Sequence, residues 1–212
     1  MNYQSNNEEW FAQRLGRFTA SRFSDLMANG RGTDTLGATA KSYILEVAYE
    51  QVTGVPLGFG GNAATEWGNT YEDEARTEYE NFTGRKVEQV GFCSHPTNRY
   101  VGGSPDGLVD SDGAIEIKCP HNGLNHVKNV LEDAFVKDYE WQCQGNLWVT
   151  GRKWMDLVSY DPRMKGLGKH LHIVRIERDE EKIAQLEARV DVCIELLKDY
   201  LKQIGGEEES PF

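Results

Sequence analysis

Apolar residues recur at helical spacing through the first third of the chain and switch to strand-like alternation after Lys86. Trp10, Phe11 and Leu15 mark one face of a first helix, and Phe23, Leu26 and Met27 that of a second, for which Thr19 and Ser21 are candidate caps. A longer helix is predicted over about residues 39–52, stopping at Gly54 and Pro56 before a glycine-rich loop at residues 58–61. Trp67, Tyr71, Ala75 and Tyr79 then recur every four residues and predict an amphipathic helix ending near Gly84. Val87, Val90 and Phe92, Tyr100 and Val101, Leu108 and Val109, and finally residues 114–119 predict three or four short strands. Helices return at about residues 125–131 and 138–149, strands at 154–160 and 170–177. A last helix begins near Asp179 and carries Ile183, Leu186, Val190, Ile194 and Leu197 on one stripe.

This order predicts an α/β fold with a central mixed β-sheet flanked by helices. The 212 residues suffice for one domain: a helical part to about residue 85, a sheet core over about 86–178, a C-terminal helix over about 179–204 and a mobile tail. With a mean hydropathy of -0.60, no apolar run approaches the roughly 20 residues that span a bilayer, so no membrane partner is expected. The start, MNYQSNNEEWF, has neither a basic leader nor an apolar core, and the expected location is the cytoplasm. Cys93, Cys119, Cys143 and Cys193 form no CxxC pair, which favours reduced, mostly buried thiols; His95, His121 and His126 near them show no recurrent metal-ligand spacing. A formal net charge of -11 by itself argues against a nucleic-acid partner, unless the cations are gathered in one groove.

The chemistry concentrates in SPDGLVDSDGAIEIKCP, residues 104–120. Along AIEIKC, alternation sends Ile115 and Ile117 to one face and Glu116 with Lys118 to the other. Asp106 stands ten residues before Glu116 in a Ser-Pro-Asp-Gly turn, and a second turn around residues 110–113 folds its strand back beside Glu116. Two carboxylates, the backbone carbonyl of Ile117 and waters make an oxygen shell suited to magnesium. The ion acidifies a bound water, and Lys118 orients or deprotonates that water and meets charge developing on phosphorus. A solvated Glu/Lys strand face beside an ordinary turn is the competing explanation of the same residues.

The wider chain resembles the lambda-type phage exonucleases, the YqaJ-like viral recombinase branch of the PD-(D/E)xK nuclease superfamily. The resemblance is carried by RLGRFTAS at residues 14–21, WGNTYEDEAR at 67–76, GGSPDGLVDSDGAIEIKCP at 102–120, WQCQGNLWVTG at 141–151 and YDPRMKGLGKHLHIVRIERDE at 160–180. It implies that Asp106, Glu116, Lys118 and Gln142 are catalytic, and that Glu72 joins Asp106, Glu116 and the Ile117 backbone carbonyl around two magnesium ions that manganese can replace. Asp73 and Glu74 then read as the solvated side of the Glu72 helix, and Asn146 as sharing the face of Gln142. It also implies a 5'-phosphate pocket of Arg14, Ser21 and Ser104, for which an arginine fork beside hydroxyls is suited; Arg14 paired with Glu8 or Glu9 is the structural alternative. Arg31 is a candidate DNA contact, while Arg163 and Lys165 read either as phosphate contacts or as a solvated turn. The implied activity is 5'-to-3' digestion of one strand of linear double-stranded DNA, leaving 3' overhangs for recombination. A homotrimeric ring and a single-strand annealing protein are the implied partners. An endonuclease of restriction or repair type and a non-catalytic DNA-binding module are the alternatives.

Overall fold

A computed structural model describes residues 8–30, 35–57 and 62–205; Arg31, the loop at 58–61 and the tail from 206 lie outside them. The chain begins with α1 (Glu8–Arg14), β1 (Phe18–Thr19), a 3-10 turn at Ala20–Arg22 and α2 (Phe23–Leu26). Two long helices follow, α3 (Ala38–Thr53) and α4 (Ala63–Thr83), each ended by a glycine in the left-handed region, Gly54 and Gly84. Next come β2 (Val87–Glu88), β3 (Cys93–Ser94), β4 (Val101–Gly103), β5 (Gly107–Val109) and β6 (Gly113–Lys118). Helices α5 (Gly123–Glu132) and α6 (Phe135–Thr150) precede β7 (Trp154–Tyr160), a 3-10 turn at Pro162–Leu167, β8 (Leu171–Glu177) and α7 (Glu180–Ile204). Asn62, Asn122 and Asp179 cap α4, α5 and α7 by accepting from backbone N–H groups of the first turn.

The predicted mixed sheet is present as a five-stranded sheet of order β2-β5-β6-β7-β8. Strands β5 and β6 form an antiparallel hairpin with Val109 opposite Gly113, and Asp110 at φ 50 makes the turn. Strand β7 runs parallel to β6, with Glu116 opposite Leu157. A parallel neighbour needs a long crossover, and α5 and α6 supply it. Helix α4 covers one face, where Ala75 and Tyr79 pack on Ile115, Ile117, Val158 and Tyr160. Helix α6 covers the other, where Cys143 and Leu147 pack on Ala114, Met155 and Leu157. Each buried aliphatic side chain here contributes roughly 1.5–3 kcal/mol relative to exposure.

A three-stranded sheet of order β1-β4-β3 lies beside a second core in which α2, α3 and α7 bury Phe23, Ile44, Val47, Leu186 and Leu197. This sheet was not expected as a unit, since β1 and β3 span two residues each, too few for a hydrophobic period to register. Thr19 and Ser21 do not cap α2: the 3-10 turn intervenes, Thr19 makes no side-chain cap bond, and the cap position of α2 is Arg22. No helix among the described residues is long and apolar enough to cross a membrane.

Candidate active site

The hairpin performs the juxtaposition expected of it. Asp106 N–H donates to the Ile115 carbonyl at 3.1 Å, and Asp106 Oδ2 accepts from the Ile117 amide at 2.6 Å. Asp106 thereby extends the β5 register to the level of Glu116. Glu116 and Lys118 share the face covered by α6, so the solvated-strand explanation fails: Glu116 is only 2% exposed. Its Oε1 accepts from Lys118 Nζ at 2.8 Å and from Gln142 Nε2 at 2.5 Å, and its Oε2 accepts from Asn146 Nδ2 at 3.1 Å. Lys118 also donates to Gln142 Oε1 at 3.3 Å and stands 4.3 Å from the centre of the Tyr139 ring.

Burial first, and then the Asp106 carboxylate, push Glu116 above the usual carboxylate range against the opposing pull of Lys118. Burial works to lower the Lys118 ammonium, yet Glu116 and Asp106 outweigh it and the net shift is upward. The Asp106 carboxylate acts in both shifts, adding to the effect of burial on Glu116 and stabilising the Lys118 ammonium. Glu72, on α4, adds to the upward push on Glu116 and is held by Arg76 at 2.7 Å. Among the described residues, no group of three or more His, Cys, Asp or Glu side chains is arranged to hold a metal ion on its own. His126 is fully buried and satisfied by Ser159 at 2.8 Å and the Lys169 carbonyl at 2.8 Å. All four cysteines are free thiols.

Arg14 and Ser21 come together: Arg14 Nη2 donates to Ser21 Oγ at 3.4 Å and to Thr19 Oγ1 at 3.5 Å. The guanidinium lies 4.1 Å over the Trp10 ring, and Trp10 Nε1 donates to Ser104 Oγ at 3.1 Å, which joins Ser104 to the same cluster. Burial lowers the Arg14 pKa from its ordinary value. A cleft of about 930 Å³ is lined by Lys118, His121, Asn125, Lys128, Asp138 and Tyr139.

Two surface readings change. Glu74 is not simply solvated, since it accepts from Tyr160 Oη at 2.8 Å and from Lys165 at 2.5 Å. Arg163 grips Asp161 through Nε and Nη2, both at 2.7 Å, stacks 4.6 Å from the Trp67 ring and donates to the Pro120 and His121 carbonyls. It therefore braces the loop that leaves β6. Tyr139 was missed altogether, although it lies three residues before Gln142 on one helix, a spacing that puts side chains on one face.

Such a mixed sheet between helices is the fold of the phage-type exonucleases. The chain belongs to the YqaJ-like viral recombinase family, whose domain profile matches residues 9–153. It is similar to the alkaline exonuclease LHK-Exo of Laribacter hongkongensis, at 38% identity over 94% of this chain and 98% of that one, with a TM-score of 0.84. The crystal structure of LHK-Exo in complex with dAMP aligns with the same TM-score of 0.84 at 37% identity, over 93% of this chain and 96% of that one. A phage-related exonuclease from Haemophilus somnus 129PT shares the fold at 21% identity, covering 89% of this chain and 96% of that one with a TM-score of 0.72. ExoD of Escherichia coli K12 is 38% identical over 73 residues, 34% of this chain and 82% of that protein.

Proposed function

We propose that this protein is a magnesium-dependent DNA exonuclease that removes nucleotides from the 5' end of one strand of linear duplex DNA and leaves a 3' overhang. The observation that carries this reading is the convergence of Asp106, Lys118 and Gln142 on or beside the buried Glu116 carboxylate, in a chain that aligns nearly end to end with an alkaline exonuclease. A relative crystallised with dAMP agrees with a mononucleotide product.

The donor set fits a hard divalent cation, because Asp106 and Glu116 offer oxygen ligands and their crowding is relieved by added positive charge. Asp106, Glu116 and the backbone carbonyl of Ile117 would hold magnesium, or manganese in its place, with Glu72 contributing to a second ion. When bound, the cation supplies an acidified water and screens the phosphodiester. The remaining steps belong to the chain. Lys118, held as an ammonium by the carboxylates around it, donates to the reacting phosphate and meets the charge that develops there. Gln142 orients the attacking water without adding charge. Arg14 with Ser21 and Ser104 binds the terminal phosphate, which sets where the chain is cut relative to its 5' end.

In its wider form the reading takes three copies as a ring around the duplex, a single-strand annealing protein as partner and the host cytoplasm as location. A ring reconciles a net charge of -11 with DNA binding, since only its lining must be basic. The test is digestion of linear duplex with and without a 5' phosphate, beside closed circles, with and without magnesium. Mononucleotides from linear DNA alone, released faster from phosphorylated ends and only with the cation, are expected. Linearised circles would replace the reading with an endonuclease, and intact DNA throughout would leave a binding module.

A further inference from the structure

Asn146 is one helical turn beyond Gln142 on α6 and only 1% exposed. Its Nδ2 donates to Glu116 Oε2, while its Oδ1 is buried with no hydrogen-bond partner. An orphaned amide oxygen costs stability, and a side chain selected for packing alone would be apolar and avoid that cost. The amide has no better orientation, because turning it would set Oδ1 against the Glu116 carboxylate. Its oxygen instead faces β4: a Cβ built on Gly103 would stand 2.3 Å from Oδ1, closer than real side chains approach. Gly103 is followed directly by Ser104, and Asp106 lies three residues on. The amide therefore fills the space between the Glu116 carboxylate and the strand that leads into Asp106.

We propose that Asn146 is a positioning residue that locks the rotation of the Glu116 carboxylate, and that Gly103 lacks a side chain so that Asn146 can do so. Lys118 and Gln142 both bind Oε1, which leaves the carboxylate plane free to swing about that oxygen; the bond from Asn146 to Oε2 fixes the plane. A catalytic carboxylate held in one orientation needs no reorganisation when substrate arrives. This inference rests on the exonuclease reading above.

The test uses the full chain on 5'-phosphorylated linear duplex at saturating magnesium, with kcat, KM and melting temperature measured together. Asn146→Leu keeps the shape and removes the donor. It is expected to melt close to the parent and to lose about 10- to 100-fold in kcat with KM little changed, the size typical of groups that orient a site's ligands. Asn146→Ala should behave alike. Gly103→Ala should lower kcat in the parent and cost distinctly less when added to Asn146→Ala, which removes the 2.3 Å clash and leaves only the milder 3.2 Å approach to the Ala20 side chain. An active parent whose Asn146→Leu variant keeps its kcat overturns the positioning role alone, as do Gly103→Ala and Asn146→Ala losses that simply multiply. A parent that leaves duplex DNA intact overturns the functional reading, and this inference with it.

Discussion

Two of the lysine–glutamate contacts among the described residues share one chemistry in opposite surroundings. Lys118 meets Glu116 at 2.8 Å with side chains 23% and 3% exposed, and Lys165 meets Glu74 at 2.5 Å with side chains 41% and 40% exposed. In the exposed pair, the hydrogen bond from Lys165 holds Glu74 below the usual carboxylate range. In the buried pair, desolvation dominates and Glu116 is held above it. A buried charge pair is poor evidence for stability, because desolvation offsets most of the attraction. Its retention in the middle of a sheet, with two amides spent on the carboxylate, points instead to chemistry. The exposed pair ties the 3-10 turn after β7 to α4 and has no such burden.

The largest expected effect tests that contrast at its root. Glu116→Gln should reduce single-turnover cleavage by roughly 10³-fold or more, the scale of losing a principal charge-stabilising group, while duplex binding is kept. Glu74→Gln should leave cleavage near the parent rate, and comparable losses in the two variants would erase the distinction. Gln142→Ala should cost about 10- to 100-fold in kcat, as expected for a group that orients water and the Glu116 carboxylate. Arg14→Ala should act on binding instead, removing roughly tenfold of the preference for phosphorylated over hydroxyl 5' ends in competition digests, the scale of a hydrogen bond to a charged group. Smallest of all, Lys165→Ala should leave both kcat and the melting temperature close to the parent, because ion pairs this exposed contribute little.

Legibility in the sequence followed the length and regularity of each element. The α4 face from Trp67 to Tyr79, the strand β7 and the stripe on α7 could be read because burial repeats over several turns or a full strand. The β5-β6 hairpin could be read because the turn residues and the alternation of AIEIKC agreed, and with it the meeting of Asp106 and Glu116. The two-residue strands and the 3-10 turns left no period to detect. The burial of Glu116 was equally hidden, since alternation gives the face a side chain points to and not what covers it. The covering helix α6 comes from a crossover, and only tertiary structure sets Asn146 and Tyr139 against β6. The Glu74 contact was hidden for the same reason, since Tyr160 lies 86 residues away in sequence, and so were the Arg163 bonds to the His121 carbonyl, 42 residues away.

The central claim is that the cluster of Asp106, Lys118 and the buried Glu116 cuts DNA from an end. Magnesium-dependent release of mononucleotides from linear duplex, measured for the parent and Lys118→Ala at equal DNA occupancy, tests it most directly. The account predicts release by the parent that stops when magnesium is chelated, and loss of release in the variant with duplex binding intact. Release by Lys118→Ala at the parent rate would contradict it.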